Sequence, residues 1–156
     1  MAGSKQQAYD DAKKIRDKEF KEYDKEIKKW KELYEQWKAL VDANNLAAAR
    51  ALQPELDAQA RRIDIIRLKI EGKLEAMDAL QRAATLGAAL AGIDGLIGNE
   101  AAQLQAAIDQ LNRAAASGNA AGVGEAAWTI AKIQSQIAGK QEIRAVVAAE
   151  KAKAKG

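Results

Sequence analysis

The sequence predicts an all-α protein, an up-down-up-down antiparallel bundle of long helices built as two helical hairpins with coiled-coil-like packing. Three observations predict it. Apolar residues recur three and four apart through most of the chain, the period of a helix face rather than of a strand. Only one Pro interrupts 156 residues, as long helices require. Two short turn signals, DANN at 42–45 and SGN at 117–119, separate the periodic stretches. The length suits a single helical domain over 1–156: hairpin 1 over about 4–86, an apolar glycine-containing elbow over 87–98, and hairpin 2 over about 99–154.

The first helix is expected to start at Ser4, whose hydroxyl can take a free amide while Gln7, three residues on, reaches back in a capping box. From Phe20 the apolar row runs Phe20, Tyr23, Ile27, Trp30, Tyr34, Trp37, Val41, alternating three and four apart. That is a bundle seam. Asp10, Asp17 and Asp24 each have a Lys four residues later, at Lys14, Lys21 and Lys28, an order that supports an exposed face. Before Phe20 the seam fails, because its register would put Lys13 and Arg16 inward and only Ala8, Ala12 and Ile15 offer a weaker stripe. The first four turns are therefore expected to project or to meet a partner.

Asn45 is the expected N-cap of the second helix, Leu46 to about Leu86, with Pro54 as a kink or break near its start. Ile63, Ile66, Ile70, Leu74, Met77 and Leu80 form its apolar face. Gly72 is expected to let a Trp or Tyr of the first helix approach the backbone. Gly87 and Gly98 are expected to bound the short apolar elbow, with Asn99 capping the third helix. That helix carries Leu104, Ile108, Leu111 and Ala115 as its buried row, and the fourth, from about Ala120 to Lys153, turns Val123, Ala127, Ile130, Ile133, Ile137 and Val147 inward. The turns ANN and SGN lie 74 residues apart, but beyond them similarity is slight, which is a weak case for internal duplication.

Composition excludes whole classes of chemistry. The chain has neither His nor Cys, so it lacks the commonest general base and metal ligand, the thiolate nucleophile and any disulfide. A net charge of +3 is too mild to imply nucleic acid, and the basic tail at Lys151, Lys153 and Lys155 reads as a solvated end. Glu71, Glu75 and Asp78 share a helix face, but Arg67, Lys69 and Lys73 are interleaved with them, so a solvated charged face is expected in place of a cation site. No His or Cys stands beside Ser4, Ser117 or Ser135, a Ser135–Lys132 pair on a regular helix lacks an oxyanion hole, and Gly122-Val123-Gly124 lacks the Lys and Ser or Thr of a phosphate loop. No enzyme activity, metal or cofactor is expected.

Two surfaces remain as candidates. The first is aromatic: the rings are expected to form an ordinary core seam filling a groove lined by Ala and Ile, and the alternative is Trp30, Tyr34 and Trp37, with Trp128, as a docking face or apolar ligand pocket. The second is the low-charge stretch 83–131, where Gly87, Ala91 and Gly95 are spaced by four in the small-residue pattern that lets helices pack closely or touch lipid. No run of about 18 apolar residues exists, so any membrane contact would be shallow. The start MAGSKQQAYDDAKKIR lacks the apolar core of a secretory signal, and a cytoplasmic home is the default, alone or in a particle assembled there. The function expected is that of a non-enzymatic structural or interaction protein, a subunit of a homo-oligomer or larger assembly such as a virion or tail. A stand-alone bundle, natural or designed, and a membrane-active protein acting through 84–98 are the alternatives.

Overall fold

The computed structural model describes residues 4–155 and contains four helices: α1 (Lys5–Asp42), α2 (Leu46–Arg82), α3 (Leu86–Ala116) and α4 (Ala120–Lys155). The protein is an all-α bundle, as its periodicity predicts. Side chains one turn ahead of the helices set their starts. Ser4 accepts from the Gln7 amide at 3.0 Å, Asn45 from Ala48 at 3.3 Å, Thr85 from Ala88 at 3.0 Å and Asn119 from Gly122 at 3.0 Å. The capping box at Ser4 is half made, because Gln7 turns forward to Asp11 at 2.9 Å.

Three expectations about the elements are corrected. The second helix ends at Arg82, and residues 87–98 are no separate elbow: α3 starts after Thr85 and runs through all four glycines to Ala116. Leu86, Ala89 and Ile93 on its inner face are buried, and that packing outweighs a helix-propensity cost of roughly 1 kcal/mol per glycine. The start of α1 does not project, since Ala8 and Ala12 are wholly buried and join Leu80, Ile93, Ile143 and Val147 in the core. The spaced Asp/Lys pairs are not the ones made: Asp10 accepts from Gln6 at 2.9 Å and Asp17 pairs with Arg16 at 3.0 Å.

Helices α1 and α2 form one hairpin, α3 and α4 the other, and the two meet chiefly through α2 and α4. Ser135 meets Ile65, while further along both chains Glu142 meets Lys73, so α2 and α4 run parallel. They are pressed together at two glycines. A Cβ on Gly72 would fall on the Gln136 carbonyl oxygen and lie 3.0 Å from its carbon; one on Gly139 would fall on the Lys69 carbonyl oxygen and lie 3.1 Å from the Lys73 nitrogen. Gly72 thus admits the α4 backbone, not a ring of α1 as its position in the sequence suggests. The two helices approach so closely because neither has a side chain at the crossing.

Around this crossing the hairpins repeat. Each buried α2 residue among Gln59, Leu68, Gly72, Lys73, Ala76 and Leu80 has a buried α4 counterpart 67 positions later, at Ala126, Ser135, Gly139, Lys140, Ile143 and Val147. Buried Ala8, Ala12 and Glu26 of α1 likewise correspond, 81 positions later, to buried Ala89, Ile93 and Ala107 of α3. The turns match bond for bond: Asn45 donates to Leu40 and Asn119 to Ala114, Asn44 to Val41 and Gly118 to Ala115. Asn44 and Gly118 both take the left-handed conformation, at φ 59° and 71°, that closes a helix in a Schellman turn. A pseudo-twofold axis parallel to α2 and α4 therefore relates the hairpins, a relation that the sequence shows only faintly.

Candidate functional site

Two Glu-Lys-Glu triads flank the glycine crossing, each drawing on three helices. Lys73, 2% exposed, lies 2.8 Å from Glu19 of α1 and 3.0 Å from Glu142 of α4. Lys140, 1% exposed, lies 2.7 Å from Glu75 of α2 and also pairs with Glu100 of α3. The sequence carries the signal as Gly-Lys-x-Glu twice, at 72–75 and 139–142. Each lysine takes one carboxylate from its own hairpin and one from the opposite motif. A lone buried ammonium is prohibitive, so the triads hold the hairpins in a single register. These groups were missed because Lys69, Glu71, Lys73 and Glu75 read in one dimension as a solvated row.

Electrostatics around the first triad are cooperative. Burial works to raise the Glu19 carboxyl, but the hydrogen bond and charge of Lys73, joined by Lys69, outweigh it and hold it below its ordinary value. Burial likewise works to lower Lys69, yet Glu19 at 3.3 Å and Glu142 at 3.6 Å leave it raised. Lower in the first hairpin the Gln59 amide donates to the Glu26 carboxylate at 2.6 Å and to its carbonyl at 2.9 Å. That bond holds Glu26 low against its burial, with Lys29 adding.

The residues that suggested cation or nucleophile chemistry have structural partners. Glu71 pairs with Arg67 at 2.8 Å, Glu75 with Lys140, and Asp78 with Arg82. Among the described residues no group of three carboxylates is placed to hold a metal ion. Ser135 donates to the Ile65 carbonyl at 2.6 Å and so acts as a clamp between α2 and α4.

The aromatic candidates divide. Trp30 and Tyr34 stack at 5.2 Å between centroids and 12° between planes, and Tyr34 continues to Trp37 at 5.9 Å and 28°. This ladder is not the sealed seam its spacing predicts. Trp30 and Trp37 are half-buried, Tyr34 is 39% exposed and Phe20 40%, because α1 packs chiefly on α2 alone and large rings overhang a two-helix contact. Trp128 sits apart on α4, with the Arg61 guanidinium 5.3 Å and the Lys132 ammonium 5.7 Å from its ring, so a pocket shared by Trp30, Trp37 and Trp128 is not formed. Beside Trp37 an open groove of about 480 Å³ is lined by Val41, Leu46, Ala49 and Pro54.

The small-residue row does not pack closely. A Cβ on Gly95 would meet nothing within 4 Å, one on Gly87 would meet Lys151 at 3.6 Å, and Ala91 is exposed. Leu86, Ala89 and Ile93 of the proposed membrane segment point into the core, and no described helix is long and apolar enough to cross a membrane. Compared with known proteins, the chain matches no family model, no curated protein and no solved structure.

Proposed function

We propose that this chain is a non-enzymatic helical interaction protein, a subunit that associates with other protein subunits, including copies of itself, through the aromatic row of α1. One observation carries the reading. At the positions 81 residues after Trp30 and Tyr34, where α3 does the same packing work, stand Leu111 and Ala115. The fold accordingly has no need of rings there. Stacked, half-exposed Trp and Tyr are the residues that dominate protein interfaces, because they bury much area with few rotamers to freeze. Phe20 and Leu46, the latter 47% exposed, add apolar surface on the same hairpin.

Sedimentation velocity on protein that has never been unfolded, from about 1 to about 100 micromolar and so below the concentration at which hairpin exchange is sought, tests this. The expected result is a mass above the 16.8 kDa monomer that rises with concentration and returns to the monomer in Tyr34→Lys, whose side chain is exposed enough to leave the fold intact. A monomer at every concentration, or association untouched by Tyr34→Lys, would refute the reading.

A further inference from the structure

The interface between the hairpins is close to self-complementary, yet it carries marks that distinguish one hairpin from the other. Gly72 and Gly139, Lys73 and Lys140, Glu75 and Glu142 occupy equivalent places, and each lysine reaches the other motif's glutamate. Two contacts break the equivalence. Arg61 faces Trp128, its counterpart 67 residues on, and Ser135 bonds the Ile65 carbonyl where its own counterpart, Leu68, has no donor. Two copies of hairpin 1 would set Arg61 against Arg61 and lose the hydroxyl clamp, since Leu68 would stand where Ser135 does. Hairpin 1 therefore recognises hairpin 2, but nothing at the interface requires the two to belong to one chain.

They are joined by three residues, 83–85, with Ala83 at ψ 143° and Thr85 at φ −135°, ψ 164°, both extended. Opening that connection leaves both hairpins and every contact within them intact. We propose that the chain forms a closed dimer by hairpin exchange, in which hairpin 1 of each copy takes hairpin 2 of the other and residues 83–85 act as hinge. The occupant of the α2 face is thus a second copy of this chain. Each interface in such a dimer is the one already present in the monomer, so exchange costs association entropy and hinge rearrangement alone. This surface is separate from the aromatic row.

Charge reversal split between two chains tests it, with Tyr34→Lys in every chain to remove association through the rings. Glu75→Lys alone sets a second ammonium against Lys140, and Lys140→Glu alone sets a carboxylate against Glu75 and Glu100. Exchange between the two variants restores one lysine and two glutamates at both interfaces. Co-refolding equal amounts should give a one-to-one heterodimer of twice the monomer mass by native mass spectrometry, with neither variant forming a folded dimer alone. The chain carrying both substitutions has the restored interface within itself and should fold on its own, as a monomer at low concentration. If it does and the mixture yields no heterodimer, the proposal is overturned. If it does not fold, the Tyr34→Lys chain refolded from urea at about millimolar concentration decides: a dimer that relaxes to monomer on dilution supports exchange, and monomer throughout overturns it.

Discussion

Gly139→Ala is the sharpest probe of the helix crossing on which the fold depends. The new methyl would sit on the Lys69 carbonyl oxygen and 3.1 Å from the carbonyl carbon and from the Lys73 nitrogen. These are backbone atoms of a helix, so no rotamer change relieves the contact and α2 and α4 must separate. A gap of 0.5–1 Å forfeits roughly a quarter to a half of the dispersion energy of the atoms along it, and overpacking of this kind costs about 1–3 kcal/mol. Weakening the nearby Ser135 bond to Ile65 adds up to about 1 kcal/mol. Alanine returns about 1 kcal/mol of helix propensity, leaving a net loss of up to about 3 kcal/mol. Gly95→Ala is the matched control. Its methyl meets nothing within 4 Å, so only the propensity term acts and the variant should gain up to about 1 kcal/mol. Urea unfolding followed by far-ultraviolet circular dichroism reads both as midpoint shifts of opposite sign at constant slope. If Gly139→Ala rises with Gly95→Ala, the close approach of α2 and α4 is refuted.

Lys140→Met leaves the Glu100 carboxylate, 10% exposed, without its cation and should cost about 3–5 kcal/mol by urea midpoint, with most recovered in Lys140→Met/Glu100→Leu; an unchanged single variant would contradict the triad. Glu19 and Glu26 are both held below the ordinary carboxylate value of 4.5, so the folded state binds fewer protons than the unfolded one. Their contribution is present above 4.5 and is lost as pH falls through the lower folded values. Glu19→Gln should flatten the acid limb of midpoint against pH, and an unaltered limb would remove Glu19 from the network. Lys69, raised above 10.5, has the opposite sign: its contribution is complete below 10.5 and is lost as pH rises through the folded value, a loss that Lys69→Met should abolish.

Local chemistry was legible in the sequence where a few adjacent residues decide the outcome. Ser4 and Asn45 cap their helices, and the turns at 42–45 and 117–119 close two hairpins, because caps and left-handed turn residues act within four positions. What was not legible depends on which helix face meets which neighbour. The four glycines of 87–98 read as a break, yet they lie off the face that carries Leu86, Ala89 and Ile93 into the core, and tertiary packing overrides their poor propensity. Lys73 read as a surface charge, since burial of a lysine shows only when carboxylates from two other helices converge on it, as they also do on Lys140. The aromatic row gave the correct face of α1 without revealing that too little covers it to enclose the rings.

The inequality of the hairpins ties these features together. Residues 36–42 of α1 have no counterpart in α3 at 81 positions, and residues 46–52 of α2 have none in α4 at 67, so hairpin 2 lacks seven residues in each arm. Seven residues are two turns of a bundle helix, and removing them from both arms keeps every remaining inward position inward while preserving the turn. A deletion that was not close to a whole number of turns would have rotated buried Lys140 or Glu100 away from its partners, and one confined to a single arm would have left the two arms unequal at the turn. The consequence is an overhang of about 10 Å at the tip of hairpin 1, which bears Trp37, Val41 and half-exposed Leu46 beside the open groove. Where the hairpins agree, at the glycines, the Gly-Lys-x-Glu motifs and the small core residues, they specify the bundle. Where they differ, in the rings of α1, the length of its arm and the charge of its outer face against the nearly neutral one of α3, the fold demands nothing. Apolar surface that the fold does not require is what the association proposed for α1 would use.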